Sequence, residues 1–431
     1  TSNSVFGRVI YSYADRYLFQ ANIRHDGSSR FAKGYRWGTF PSFSAGWVMS
    51  EEKFMKSLNW DWLSFLKLRG SWGILGNERI GDDYFPYIAL MSFGNSLFYM
   101  ADGSVVSDKT ARPAILAVED ITWETTTSTD FGLDANFFNN RLQFHFDYYW
   151  KQTKDMLLKI EIPYFMGYNN PNTNAGKMST HGYDIELAWN DRIGDLQYGV
   201  NVNFSDFLSK IDYMNDGEQI SNGKIKRAGV LFNEYYGYVC DGIYQTQEEV
   251  NNSARTSTTV TVGDLKYRDI SGPDGVPDGI ISPEYDRVPL GNSLPRFQYG
   301  GTFNASYKGI DFSIAFQGIG KQNSYLSTAM VQPLRDNYGS VPSIIEGKYW
   351  SPFNTAEENL SARYPRLSNV SKSNNYATSS FWMFNGSYFR LKNLTLGYTL
   401  PETWTQKAGI DRVRFYISGS DLFCLSNFPD G

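Results

Sequence analysis

The sequence predicts an all-β chain, folded as a large antiparallel, up-and-down transmembrane β-barrel. Three observations predict it. Apolar and aromatic residues alternate with polar ones at every second position in about twelve segments, the period of an extended strand with two unlike faces. Aromatic residues make up 16% of the 431 residues, with thirty Tyr and thirty Phe, yet they stand singly among polar neighbours. Short and long connections alternate along the whole chain.

The strand segments lie near 4–13, 16–25, 40–49, 63–73, 122–138, 141–160, 180–190, 195–207, 296–307, 310–320, 387–400 and 412–424. RLQFHFDYYW, residues 141–150, shows the pattern. Leu142, Phe144, Phe146, Tyr148 and Trp150 share one face, and Arg141, Gln143, His145 and Asp147 share the other. Val200, Val202 and Phe204 alternate in the same way with Asn201, Asn203 and Ser205, and Phe312, Ile314 and Phe316 with Ser313, Ala315 and Gln317. Helix is confined to short pieces such as the one around Ser50 to Phe54.

Ala14-Asp15, Asn139-Asn140 and Lys308-Gly309 predict tight two-residue hairpin turns, and Asp191 to Gly194 a slightly longer one. Between the hairpins lie long polar connections at about 26–39, 74–121, 161–179, 208–295 and 321–386. The stretches 50–62 and 401–411 count as short. In an up-and-down sheet, alternate connections emerge at opposite ends, so one end is trimmed and the other elaborated. Outer-membrane barrels have this asymmetry, with short periplasmic turns and long extracellular loops. On this reading the apolar face of 141–150 meets lipid, with Tyr148 or Trp150 near an interfacial aromatic girdle, while Arg141, Asp147, Asn201 and Asn203 face a wet lumen. A secreted β-sandwich or propeller produces the same alternation in any single strand, with its apolar faces meeting in a dry core.

Composition removes several function classes. The formal net charge is only -5 and Lys and Arg form no basic block, so nucleic acid is not an expected partner. No apolar run reaches the roughly 18 to 20 residues of a membrane-crossing helix. Cys240 and Cys424 are isolated, and the three histidines, His25, His145 and His181, form no metal signature. No nucleophile elbow or paired acid and base stands out, so an enzyme is not expected. The chain opens on TSNSVFGRVIYSY, already in a strand pattern, and closes on SNFPDG, a turn. It reads as a piece of a longer protein.

One loop suggests a metal. In DISGPDGVPDGIISPEYDR, residues 269–287, Asp269, Ser271, Asp274, Asp278, Glu284 and Asp286 offer oxygen ligands, and Gly272, Gly275 and Gly279 permit the turns that would converge them on a structural calcium ion. Pro273 and Pro277 interrupt the calcium-loop spacing, and a turn cluster that shapes a surface loop is the alternative. Aromatic residues also crowd the connections: Tyr35, Trp37, Phe232, Tyr235, Tyr236, Tyr238 and Trp350. They could stack on sugars, contact peptide side chains, or pack the loops themselves.

Several phrases resemble the SusC/RagA family of TonB-dependent outer-membrane transporters. They are RYLFQANIRHDGSSRF at 16–31, RWGTFPSFSAGWVMSEEKFM at 36–55, LKLRGSWGILGN at 66–77, the long stretch 121–157, NAGKMSTHGYDIEL at 174–187, the 264–300 stretch ending in PLGNSLPRFQYGG, and YFRLKNLTLGYTLP at 388–401. The resemblance implies a 22-stranded barrel closed by an N-terminal plug. About twelve of those strands are present, and the plug, the first strands and the last strands are expected to lie outside this piece. It further implies import of oligosaccharides or peptides across the outer membrane of a Gram-negative cell. A SusD-like surface lipoprotein would act as the lid, and TonB-ExbB-ExbD would supply the energy through the N-terminal region. The alternatives are a passive porin-type barrel and a secreted or surface glycan-binding β protein.

Overall fold

The computed structural model describes all residues except 1, 81–83, 216, 327–331, 334–340, 369–371 and 429–431. Twelve strands form one antiparallel sheet in sequence order. They are β1 (Ser2–Tyr13), β2 (Tyr17–Ser28), β3 (Trp37–Val48), β4 (Leu63–Asn77), β5 (Glu124–Phe137), β6 (Leu142–Lys159), β7 (Asn172–Ile193), β8 (Leu196–Met214), β9 (Arg296–Tyr307), β10 (Ile310–Lys321), β11 (Tyr388–Thr399) and β12 (Arg414–Ser426). Each is paired with its chain neighbours and with no other strand of the sheet. All twelve expected segments are found, and most run longer than the alternation alone suggested.

The turns follow from local backbone chemistry. Ala14 and Asp15 both hold a φ of 52°, and the Arg16 N–H donates to the Tyr13 carbonyl at 3.1 Å. This mirror-image turn matches the right-handed twist of the strands it joins. Asn139 and Asn140 repeat it with φ of 57° and 65°. The turn expected over Asp191 to Gly194 is displaced. β7 keeps pairing through Asp191, Arg192 and Ile193, and Gly194-Asp195 closes the hairpin, because Gly194 takes the left-handed φ of 60° at no steric cost. The connection after β3 carries the expected short helix, Lys53–Ser57, behind a 3-10 turn at Met49–Glu51.

Register fixes the faces. Leu68, Leu133, Phe146, Ile185 and Phe204 form one continuous cross-strand row over β4 to β8. Arg69, Gly132, Asp147, Asp184 and Ser205 form the adjacent row on the opposite face. The apolar face has no layer packed on it: Val5 is 68% exposed, Ile23 52%, Phe131 56% and Trp150 46%. A soluble sandwich would bury these side chains, so this face requires an apolar solvent.

The buried cores lie elsewhere, in the long connections. Tyr238, Leu265, Tyr267, Ile281, Leu326, Ile345, Tyr364 and Trp382 make the largest cluster, built from the connections after β8 and β10. Phe31, Phe40, Ile80, Ile121 and Trp123 make a second, where the connections after β2 and β4 meet the end of β3. These connections contain small sheets that the alternation did not reveal: a hairpin of Leu90–Tyr99 with Val105–Ile115, and a four-stranded sheet of 218–221, 224–227, 234–238 and 287–292. In 90–99 and 105–115 apolar and polar residues do not alternate, and the strands of four to six residues in the second sheet carry too little period to be read from sequence.

Single cysteines placed on the two faces test this orientation. In outer membranes opened by osmotic shock, with Cys240 and Cys424 first replaced by Ser, a water-soluble maleimide should label Asn201→Cys and leave Phe144→Cys unlabelled. The reverse pattern would turn the sheet inside out.

Candidate functional site

The polar face carries a charged belt at mid-sheet, organised around one arginine. Arg69 on β4 reaches Asp134 on β5 with Nε at 3.1 Å, and spans β5 altogether to grip Asp147 on β6 with Nη1 and Nη2 at 2.6 and 2.7 Å. Gly132 makes the span possible. It stands directly between Arg69 and Asp147 in register, and a Cβ there would come within 2.4 Å of the guanidinium. His145 Nδ1 lies 3.0 Å from Asp134, and Lys67 Nζ lies 3.9 Å from it. Asp184 opposes Asp147 directly across β6 and β7. Like charges placed opposite each other are destabilising in a sheet unless water or a counter-charge screens them. Asn201 donates to Glu186 at 2.8 Å along the same face.

Toward the long-connection end, the polar face opens into a cavity of about 400 Å³. Ser4, Arg24, Asp26 and Asn77 come from β1, β2 and β4, and Arg30 and Trp123 from the connections. The second buried cluster holds this rim in place. Trp123 sits edge-on to Phe40 at 5.3 Å and donates its indole N–H to the Arg36 carbonyl at 2.9 Å.

Beyond the rim, the connections after β8 and β10 are joined by a buried polar network. The fully buried Asp264 accepts from Arg366 Nε at 2.7 Å, from Asn375 Nδ2 at 2.9 Å and from the Thr261 N–H at 2.9 Å. Asn375 accepts from the Leu265 N–H, and Trp382 Nε1 donates to the Asn375 carbonyl. Burial pushes the Cys240 thiol up to about 11 and the Tyr244 phenol up to about 12. Burial also works against the charge of Glu249, but Lys266 at 2.8 Å and the Gln245 N–H more than offset it and hold the carboxyl below its ordinary range. That contribution to stability is present above the ordinary carboxyl range and is lost as pH falls through the depressed value.

Four of the six residues expected to hold calcium, Asp269, Ser271, Asp278 and Asp286, hydrogen-bond within the loop. Asp286 is fully buried, with Oδ1 accepting from the Ile270 and Ser271 N–H groups and Oδ2 from the Ser282 N–H. Asp269 caps the Gly279 N–H at 2.7 Å, and Asp278 the Ile280 N–H at 2.9 Å. Asp274 and Glu284 are exposed, and the Ser271 hydroxyl turns to its neighbour's carbonyl. Asp269 Oδ1 is buried without a partner, and among the described residues no three His, Cys, Asp or Glu side chains converge. Calcium takes six to eight oxygens, carbonyls and water among them, and three of these carboxylates are turned to backbone N–H groups.

The loop aromatics divide. Tyr235, Tyr236, Tyr238 and Trp350 are buried, and Trp350 donates to Gln245 and lies over Gly263. Phe232 is half-buried. Tyr35 and Trp37 stay exposed, with Trp37 stacked on His25 at 4.7 Å. Sequence reasoning missed Arg69, Asp134, Asp264 and Arg366 as organising residues. For the first two, polar-face parity around Gly132 is the signal that could have found them.

Residues 1–418 match the family described as "TonB dependent receptor-like, beta-barrel". The chain belongs to that family. Among relatives of this TonB-dependent receptor barrel are TonB-dependent receptor P3 of Formosa agariphila, 31% identical over 446 residues, and TonB-dependent receptor SusC of Bacteroides thetaiotaomicron, 30% identical over 439. Each comparison covers 99% of this chain and 41% or 40% of the relative. The chain thus spans about two fifths of the length of the curated relatives it matches. The solved RagAB peptide transporter superposes with a TM-score of 0.77 at 22% identity, covering 99% of this chain and 44% of that one, which shows the same fold. Outer-membrane barrel architecture follows, with the apolar rows toward lipid and the belt of Arg69 toward the lumen.

Two outcomes check the site. Gly132→Ala should block the Arg69–Asp147 grip and cost about 1–2 kcal/mol of unfolding stability in micelles, a partly exposed ion pair's share. The cost should shrink when Asp147→Asn is already present. For the acidic loop, EDTA should leave protease resistance of 269–287 unchanged while Asp286→Ala removes it. Loss of resistance on chelation would restore the ion.

Proposed function

We propose that this chain forms wall and extracellular cap of a TonB-energised importer of oligosaccharides or peptides, working with a SusD-like lipoprotein lid. The observation that carries the proposal is the continuity of a charged, water-facing wall with a folded cap at one end only. Solute recognition is served by such a path. The residues bind and shape, and no bond is broken. Membership of the TonB-dependent receptor family supports active uptake over a passive porin, which needs no cap with its own cores. TonB-ExbB-ExbD would act through the N-terminal region of the whole protein, and lipid would surround the barrel.

An uncovered apolar hairpin supports the partner. The hairpin of Leu90–Tyr99 with Val105–Ile115 lies in a long connection and leaves Phe93, Leu97 and Tyr99 uncovered, at 80%, 72% and 85% exposure. A two-stranded hairpin is marginal in water alone and gains stability when its apolar face is covered.

Deletion of the gene should abolish growth on one class of oligosaccharide or peptide, and depletion of TonB should reproduce the defect. The protein extracted in mild detergent should bring a lipoprotein with it. Uptake that survives TonB depletion would instead establish a passive channel.

A further inference from the structure

We infer that the cavity at the mouth of the polar face binds a carboxylate group of the solute. The inference rests on the importer reading and adds a substrate class to it. Three guanidinium groups, those of Arg24, Arg30 and Arg79, line the cavity. Arg24 is partly neutralised, with Nε 2.7 Å from the Asp26 carboxylate and Nη2 donating to Ser4 Oγ at 3.2 Å. Arg30 is poised over the Tyr84 ring at 5.0 Å, and among the described residues neither Arg30 nor Arg79 has an ion-pair partner. Planar guanidinium donors match the geometry of carboxylate oxygens, and they bind such groups in two-pronged fashion.

Glu78 also lines the cavity, but its Oε2 is shut off from solvent. The groups a solute meets are the guanidinium donors of Arg30 and Arg79 beside the Arg24–Asp26 pair. A neutral sugar offers these donors no charge to pair with, whereas an acidic sugar unit or an acidic peptide residue does.

The walls are set before any ligand arrives. The Phe40 ring occupies the space over Gly76, where a Cβ would lie 2.1 Å from it, and Trp123 backs the ring from the buried cluster beneath. About 400 Å³ falls within the range of small-ligand sites, roughly 300–1,000 Å³. The position at the lumen's rim places the site where a solute would pause before entry.

Binding to the purified full-length protein in detergent tests the idea without depending on TonB. The probes for equilibrium dialysis are tetragalacturonate, a glutamate-containing pentapeptide, maltotetraose and N-acetyl-pentaalanine amide. At least one acidic probe should be retained and its neutral counterpart should not. Which acidic probe is retained separates sugar from peptide as the source of the anion. Arg30→Gln and Arg79→Gln should each weaken retention at least tenfold, Arg79→Lys should weaken it less, and added salt should weaken it further. Heat-modifiable gel migration identifies variants that fold. The inference is overturned if no acidic probe is retained, if neutral probes bind equally well, or if folded arginine variants bind like wild type. Failure of TonB-dependent uptake in cells would overturn the importer reading instead.

Discussion

A bilayer offers no water to backbone N–H and C=O groups, and the rest of this structure depends on that constraint. Every polar backbone group at membrane depth must find a partner within the sheet. The ten inner strands, β2 to β11, meet this on both sides by pairing with their chain neighbours through ladders of seven to eighteen residue pairs, and β1 and β12 are paired on one side in this sheet. Side chains are then free to serve two solvents. The apolar rows need no protein layer because lipid takes that place, and the polar rows need no dry packing because the lumen is wet.

Packing energy is therefore concentrated where the protein meets bulk water. The buried side chains cluster in connections rather than on the sheet. Phe31, Ile225, Val250, Leu265 and Trp382 are each at most 1% exposed, and all five lie outside the twelve strands. The cap gains definition from polar pairing as well as from apolar burial. Asp264 has its carboxylate shared among Arg366, Asn375 and a backbone N–H, which ties together segments more than 100 residues apart. Leaving such a carboxylate unpaired would cost several kcal/mol, about 3–5 by comparison with broken buried pairs. The belt around Arg69 is different in kind. Its groups keep access to water, so pairing there positions side chains more than it stabilises the sheet.

The sequence made the sheet legible because alternation over ten or more residues can be read from one chain, and because two-residue turns such as Asn139-Asn140 carry their own backbone signature. It made the cap much less legible. The strands at 218–221, 224–227 and 234–238 are too short for a period, and the last of them takes its register from 287–292, far along the chain. The acidic loop shows a second limit. Spacing at 269–287 suggested metal ligands, but a carboxylate serves equally to cap backbone N–H groups, and Asp286 spends both oxygens that way. Spacing alone does not distinguish these uses. The span from Arg69 to Asp147 was legible in principle. It needs only the pairing of β4, β5 and β6 and the absence of a side chain at Gly132.

The choice between lipid and core for the apolar face is decided by the polar face. An exposed Phe131 or Trp150 alone fits a protein awaiting another layer. A row that sets Asp147 against Asp184, beside Asp130 and Asp134, with Arg69 and Lys67 as the nearby cations, does not fit a buried or thinly hydrated surface. Such crowding is tolerable where water screens the charges and where another charged surface can enter, and a large lumen supplies both conditions. Once the polar face is assigned to water inside a barrel, the apolar face has only lipid left to meet. The same assignment places Arg24, Ser4 and Asn77 at the lumen's entrance, where the strands end and the folded connections begin.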